Sequence, residues 1–166
     1  MTCIVSSMSL FILWLCFSLP IAVAASFSPV LSGTVTHVRD GDTLVVDGKL
    51  VIRLAGIDAP ERRQTAGELA TQFVRALVDG HLVTVIVERS RDKYGRMLGD
   101  VRIAGEEGQS LRVALVEAGL AWCYMARADW RKTCATHEAE ARRAARGLWG
   151  LACRVPPWLW RKGQRC

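Results

Sequence analysis

The chain has 166 residues, which is room for one domain rather than several, and it contains no internal repeat or low-complexity segment. Its formal net charge is +6 and its isoelectric point about 9.3. A basic balance of this size attracts polyanions, nucleic acid being the commonest, but it serves solubility equally well, and charge alone does not separate the two.

Met1 to Ala25 carries no charged side chain and includes the apolar run Leu10 to Phe17. Small residues at Ala22 and Ala24 provide an exit suited to signal-peptide cleavage, although the first residues lack the usual Lys or Arg. The segment 1–25 is therefore read as a signal peptide. The alternative is a retained membrane anchor, since the stretch is long enough to span. After cleavage about 140 residues remain, enough to bury a core. The exported protein would be periplasmic or secreted, monomeric, and without stable membrane association. Cys123, Cys134, Cys153 and Cys166 lie beyond the leader, and an even count in an exported chain suggests disulfides. Of the three possible connectivities, nearness in sequence favours Cys123–Cys134 with Cys153–Cys166. A zinc site is disfavoured, because no C-x-x-C pair occurs.

Beyond a short lead-in, Gly33 to Val38 alternates as a strand. Asp40-Gly41-Asp42 is turn chemistry, and Leu44 to Val46 is a second strand. Asp47-Gly48 is a strong hairpin signal leading into a third strand over Leu50 to Leu54. Pro60, which cannot donate to a ladder, closes this region. Leu69, Phe73 and Leu77 recur every four residues and predict a helix with that stripe inward, stopped at Gly80. Leu82 to Val87 and Met97 to Ile103 are the fourth and fifth strands, separated by a polar turn over Arg91 to Arg96. Ser110 can cap a helix carrying Leu111, Ala114, Leu115 and Ala118, ended by Gly119. Arg131 to Arg146 is a charged, Ala-rich helix closed by Gly147. In the tail, Pro156 and Pro157 are expected to prevent regular structure. The order predicts an α+β, mainly β domain over 26–150: a five-stranded barrel of the OB type with about three helices. Residues 151–166 form a basic, Trp-rich tail.

Three clusters carry possible chemistry: Asp40-Gly41-Asp42-Thr43, the run Arg53-Leu54-Ala55-Gly56-Ile57-Asp58-Ala59-Pro60-Glu61, and Asp92-Lys93-Tyr94-Gly95-Arg96. Each alone has a bland reading as a turn, a solvated loop or a surface ion pair. Together, in this order, they resemble the thermonuclease (staphylococcal-nuclease-like) family, across nearly all of Gly33 to Trp149. Glu117-Ala118-Gly119-Leu120-Ala121, Glu138 to Ala141 and Gly147-Leu148-Trp149 extend the match.

The resemblance implies a five-stranded OB barrel and a Ca²⁺-dependent nuclease acting on DNA and RNA, with 3′-phosphate products. By position it makes Asp42 and Asp58 calcium carboxylates and the carbonyl of Ala59 a third ligand, with Asp40 and Thr43 beside them. Where the family can carry Thr, this chain has Ala59; a carbonyl ligand does not need that side chain. Glu61 matches the carboxylate that orients or deprotonates the attacking water. Arg53 and Arg96 match the arginines on the scissile phosphate, and Lys93 and Tyr94 match residues near a neighbouring phosphate. Tyr124 corresponds to a base-stacking tyrosine, with a one-residue slip.

The chemistry calls for these residue types. A phosphodiester anion repels hydroxide, and a hard cation on oxygen ligands relieves that repulsion. Arginine meets phosphate oxygens with a planar fork, which Lys lacks. His37, His81 and His137 have no partner at ligand spacing and read as solvated or packed. Trp149 reads as packing, while Trp158 and Trp160 divide evenly between packing and base stacking. Glu138 and Arg142 stand at i,i+4 on a solvated face. The competing reading is a non-catalytic OB-type nucleic-acid-binding module. A membrane-anchored structural protein is a third, and it leaves the carboxylates and arginines unexplained.

Overall fold

A computed structural model describes residues 29–166 except 90, 106 and 125–127. The leader, 1–25, lies outside the described residues. Among the described residues no helix is long and apolar enough to cross a membrane.

Strands β1 (Val30–Asp40), β2 (Thr43–Val46) and β3 (Leu50–Leu54) form an antiparallel meander. Asp47 and Gly48 between β2 and β3 both have positive φ (51° and 69°), as a two-residue turn of the hairpin type requires. Strand β4 (Ile57–Asp58) and helix α1 (Gly67–Val78) follow, then β5 (Leu82–Arg89) and β6 (Met97–Ile103). The first half of β1 pairs with β5 and its second half with β2, with register shifts between Val35 and His37 and between Val38 and Asp40. Such irregularities bend a strand, so one long strand serves two sides of the barrel. Antiparallel β5–β6 and parallel β3–β6 pairing closes five strands into a mixed barrel, the predicted architecture.

The inward residues Val35, Leu44, Ile52, Leu54, Val85 and Val101 are almost wholly buried. Each contributes about 1.5–3 kcal/mol of transfer free energy. Helix α1 stands where expected, but its buried face is Ala70, Val74 and Val78. Leu69 is 52% exposed, and Phe73 and Leu77 only flank the core. The expected stripe is thus one residue out of phase. Both sets repeat every four residues, and the set that faces the barrel includes the small Ala70, which lies beside Gly41.

The short strand β7 (Gln109–Ser110) leads into α2 (Leu111–Glu117), where Ser110 caps the helix by accepting from the Val113 N–H at 3.3 Å. Strand β8 (Trp122–Cys123) pairs with β4, and α3 (Ala128–Arg143) follows. Cys123 is bonded to Cys134 and Cys153 to Cys166, the pairing that nearness in sequence favoured.

The tail departs from expectation. Pro157 to Trp160 forms a single helical turn, α4, with Pro157 at its first position. Proline is tolerated there because that N–H has no helical partner in any case, and its fixed φ suits a helix start. The tail packs on a second apolar cluster of Trp122, Ala141, Leu148 and Trp149. Trp149 is buried with its ring edge-on to Trp122 at 5.5 Å, so packing is its role. The Glu138–Arg142 pair forms at 2.8 Å, while the Arg142 guanidinium also lies over the Trp149 ring.

Candidate active site

The loops at one end of the barrel enclose a cleft of about 730 Å³. Every residue singled out from the three clusters as a site residue lines it: Asp40, Asp42, Thr43, Arg53, Asp58, Ala59, Glu61, Lys93, Tyr94 and Arg96. Tyr124 lines it as well. None of the three histidines does.

The β1–β2 turn supplies Asp42, which is buried at 6% exposure. Its N–H donates to the Asp40 carboxylate at 3.1 Å, and its carbonyl accepts from the Leu54 N–H at 2.8 Å. One carboxylate oxygen accepts from the Ala59 N–H at 2.7 Å and the other from the Thr43 hydroxyl at 3.1 Å. Gly41 is required for this fit, because a Cβ there would lie 2.8 Å from the methyls of both Ala59 and Ala70. Burial pushes the Asp42 carboxyl up to about 7; Arg53 opposes this, and Asp40 and Asp58 reinforce it.

Arg53, on β3, holds the floor of the cleft. One nitrogen donates to the carbonyls of Leu54 and Ile57 at 2.8 and 3.0 Å. The other reaches Asp42 at 3.1 Å and Asp58 at 2.8 Å. Asp58 is 1% exposed and held in place by β4–β8 pairing. Two buried carboxylates therefore converge on one cationic nitrogen.

Among the described residues no group of three or more His, Cys, Asp or Glu side chains is arranged to hold a metal. The donor set here is different in kind: two carboxylates and a backbone carbonyl. All are hard oxygen donors, and the two carboxylates are buried side by side, which suits calcium. By donor type, Asp42, Asp58 and the Ala59 carbonyl fit the cation that the motif resemblance implies, and they are the residues that would hold it.

Glu61 sits just beyond Pro60, at the mouth. Its N–H donates to the Gln64 side-chain oxygen at 2.8 Å, and its carbonyl accepts from the Gln64 N–H at 2.7 Å. Gly67 packs against this turn so closely that a Cβ would overlap the Glu61 carbonyl oxygen.

Across the cleft, the β5–β6 loop presents Arg96. Asp92 holds it through Nε at 2.9 Å and a second nitrogen at 2.8 Å, and accepts from the Tyr94 and Arg96 N–H groups. Desolvation alone would raise the Asp92 carboxyl, but these hydrogen bonds and the Arg96 charge bring it below its usual value. Tyr94, 70% exposed, lies against the Arg96 guanidinium, and Lys93 sits over the same ring.

Three cleft features were not anticipated. Asp92 belonged to the third cluster without a role, and its role is to orient Arg96. Gln64 is buried and ties the Glu61 turn to the tail by donating to the Val155 carbonyl at 2.9 Å. Arg161, at the end of α4, reaches into the cleft and pairs with Asp58 and Glu61, each at 2.7 Å. Its hydrogen bond to Asp58 outweighs burial and holds the guanidinium more firmly protonated than usual. A basic tail was the only signal, and it did not point to one arginine. Tyr124, the expected base-stacking residue, has one ring face stacked on Trp158 of the tail, with centroids 4.8 Å apart.

The arrangement suits hydrolysis of an anionic ester: buried carboxylates able to hold a cation, a carboxylate at the mouth, and arginines at the floor and on the far wall. Comparison with known proteins agrees. Residues 51–150 match the model of the family described as staphylococcal nuclease homologue. An uncharacterized endonuclease of Escherichia coli O157:H7 is 42% identical over 134 residues, covering 79% of this chain and 85% of that protein. A micrococcal nuclease of Shigella flexneri is 37% identical over 145 residues, covering 80% of this chain and 82% of the relative. A staphylococcal-like nuclease of Arabidopsis thaliana is 38% identical over 121 residues, covering 73% of this chain and 36% of that longer protein. The chain belongs to the staphylococcal nuclease homologue family. It is a nuclease, an enzyme that hydrolyses phosphodiester bonds.

Proposed function

We propose that this nuclease is an exported, Ca²⁺-dependent endonuclease that cleaves DNA and RNA to 3′-phosphate products. The observation that carries this reading is the convergence of Asp42, Asp58, Glu61, Arg53 and Arg96 on one cleft. Asp42, Asp58 and the Ala59 carbonyl would hold the cation, with Asp40 and Thr43 fixing Asp42. When bound, calcium supplies positive charge that neutralises and polarises the phosphate.

The chain's own residues do the rest. Arg96, oriented by Asp92, presents its free guanidinium edge to the phosphate from one wall, and Arg53, whose terminal nitrogens hold the carbonyls and carboxylates, adds its charge from the floor. Charge grows on the phosphate oxygens at the transition state, so these donors bind it more tightly than the ground state. Glu61, at the open mouth, accepts a hydrogen bond from the attacking water and so orients it, or takes its proton outright. A 3′-phosphate product requires the bond between phosphorus and the 5′-oxygen to break, so attack comes from the side opposite that oxygen. Lys93 and Tyr94 flank the next phosphate, and Tyr124, with Trp158 on its face, offers an aromatic surface to a base. Two disulfides suit an oxidising compartment, which supports export.

The test is degradation of plasmid DNA and of RNA with calcium and then with a chelator, with Glu61→Ala and Arg96→Ala alongside. Calcium-dependent cleavage is expected, with each variant lowered by about 10²–10³ in kcat. A folded wild type that cuts neither polymer with any divalent ion would leave the non-catalytic binding module as the working reading.

A further inference from the structure

The tail is docked at three points around the cleft. Gln64, which braces the Glu61 turn, donates to the Val155 carbonyl at 2.9 Å. Trp158 stacks on Tyr124 and meets Trp122 edge-on at 6.4 Å. Arg161 places one nitrogen 2.7 Å from Asp58 and the other 2.7 Å from Glu61. The Cys153–Cys166 bond closes the segment into a loop.

Arg161 therefore pairs with one carboxylate assigned to the cation and with the carboxylate assigned to water, while its side chain stays 46% exposed to the cleft. Asp58 cannot give the same oxygen fully to a guanidinium and to calcium. Arg53 already accounts for the other Asp58 oxygen. A cation entering at Asp42 and Asp58 competes with Arg161 for Asp58. The freed guanidinium stays beside the cleft, because the tail that carries it is docked through Val155 and Trp158. The anion that then shares the space is a phosphate of the substrate, which a guanidinium binds well.

We propose that Arg161 is a third, tail-borne arginine of the site, which exchanges Asp58 for a substrate phosphate when the cation binds. This rests on the calcium and phosphodiester reading above. It predicts opposite effects on two ligands. Without Arg161 the cation meets no competitor at Asp58, whereas the nucleic acid loses a charged contact.

The test is calorimetric titration of the purified chain and of Arg161→Ala, first with CaCl₂ alone. The second titration, in saturating calcium, uses a short phosphorothioate-linked oligonucleotide that resists hydrolysis. Arg161→Ala should bind calcium roughly tenfold more tightly and the oligonucleotide roughly tenfold more weakly, the scale of one charge-assisted contact. Arg161→Lys keeps a charge but not the fork, and should fall between. A variant with loosened packing would lose affinity for both ligands, so the opposed signs mark exchange rather than damage. Unchanged or weaker calcium binding in Arg161→Ala overturns the proposal, as does unchanged oligonucleotide binding. A wild type that binds calcium beside an indifferent Arg161→Ala refutes the exchange and leaves the site reading intact. A wild type that binds no calcium removes both.

Discussion

Arg53 carries two roles that one substitution can separate. Its guanidinium makes ion pairs with Asp42 and Asp58 and hydrogen bonds with two backbone carbonyls, while the two carboxylates are 6% and 1% exposed. Arg53→Ala leaves both carboxylates short of a cation in a site that water reaches poorly. Removing one partner of a buried pair costs about 3–5 kcal/mol. Arg161 continues to hold Asp58, and the cleft is partly open, so about 2–3 kcal/mol is the better expectation. For a domain of this size that is a fall in Tm of roughly 7–10 °C. Calcium should reverse much of it, because a cation at Asp42 and Asp58 replaces the lost charge, and a ligand that binds only the folded state stabilises it by mass action. The stabilisation by calcium should thus be larger in Arg53→Ala than in the wild type, although catalysis stays low with the phosphate donor gone. Urea unfolding with and without calcium measures this directly. A loss below about 1 kcal/mol, or equal calcium effects in the two proteins, would refute the argument that Arg53 neutralises the cation site.

Two further outcomes follow from the geometry. Gly41→Ala sets a methyl against the methyls of Ala59 and Ala70; overpacking of this kind costs about 1–3 kcal/mol. Because Ala59 is a candidate ligand, calcium affinity should fall with stability, and calorimetry alongside urea unfolding checks both. Asp92→Asn removes the anchor of Arg96, and activity should drop with little change in the far-ultraviolet circular dichroism. The folded Asp92 carboxyl lies below its usual value, so its contribution to stability is present above about pH 4 and is lost as pH falls through the lower folded value. Wild type and Asp92→Asn should therefore differ by less than about 1 kcal/mol at pH 7 and converge towards pH 3. A gap that widens on acidification would contradict the assignment.

Much of this protein is local chemistry and could be read from the chain. Asp47-Gly48 specifies its hairpin because both residues tolerate positive φ, and Ser110 caps α2 through a bond three residues away. The three motifs are legible for the same reason: each is a short turn or strand end whose residues share one stretch of backbone. The phase of α1 was not legible. Leu69, Phe73, Leu77 and Ala70, Val74, Val78 have the same period, and only the packing of the helix on the barrel decides which set is buried. Nor could the tail be read. Pro156 and Pro157 mark a helix start as readily as an irregular segment, and the packing of Trp158 on Tyr124 settles which. The contacts that hold the tail at the cleft are likewise long-range. Arg161 meets Asp58 across 103 positions, and Gln64 meets Val155 across 91. Sequence determines which charges a loop can carry. Their pairing depends on which loops the closed barrel brings to the same end, because the ion pairs form only once folding has brought both partners into one partly desolvated cleft.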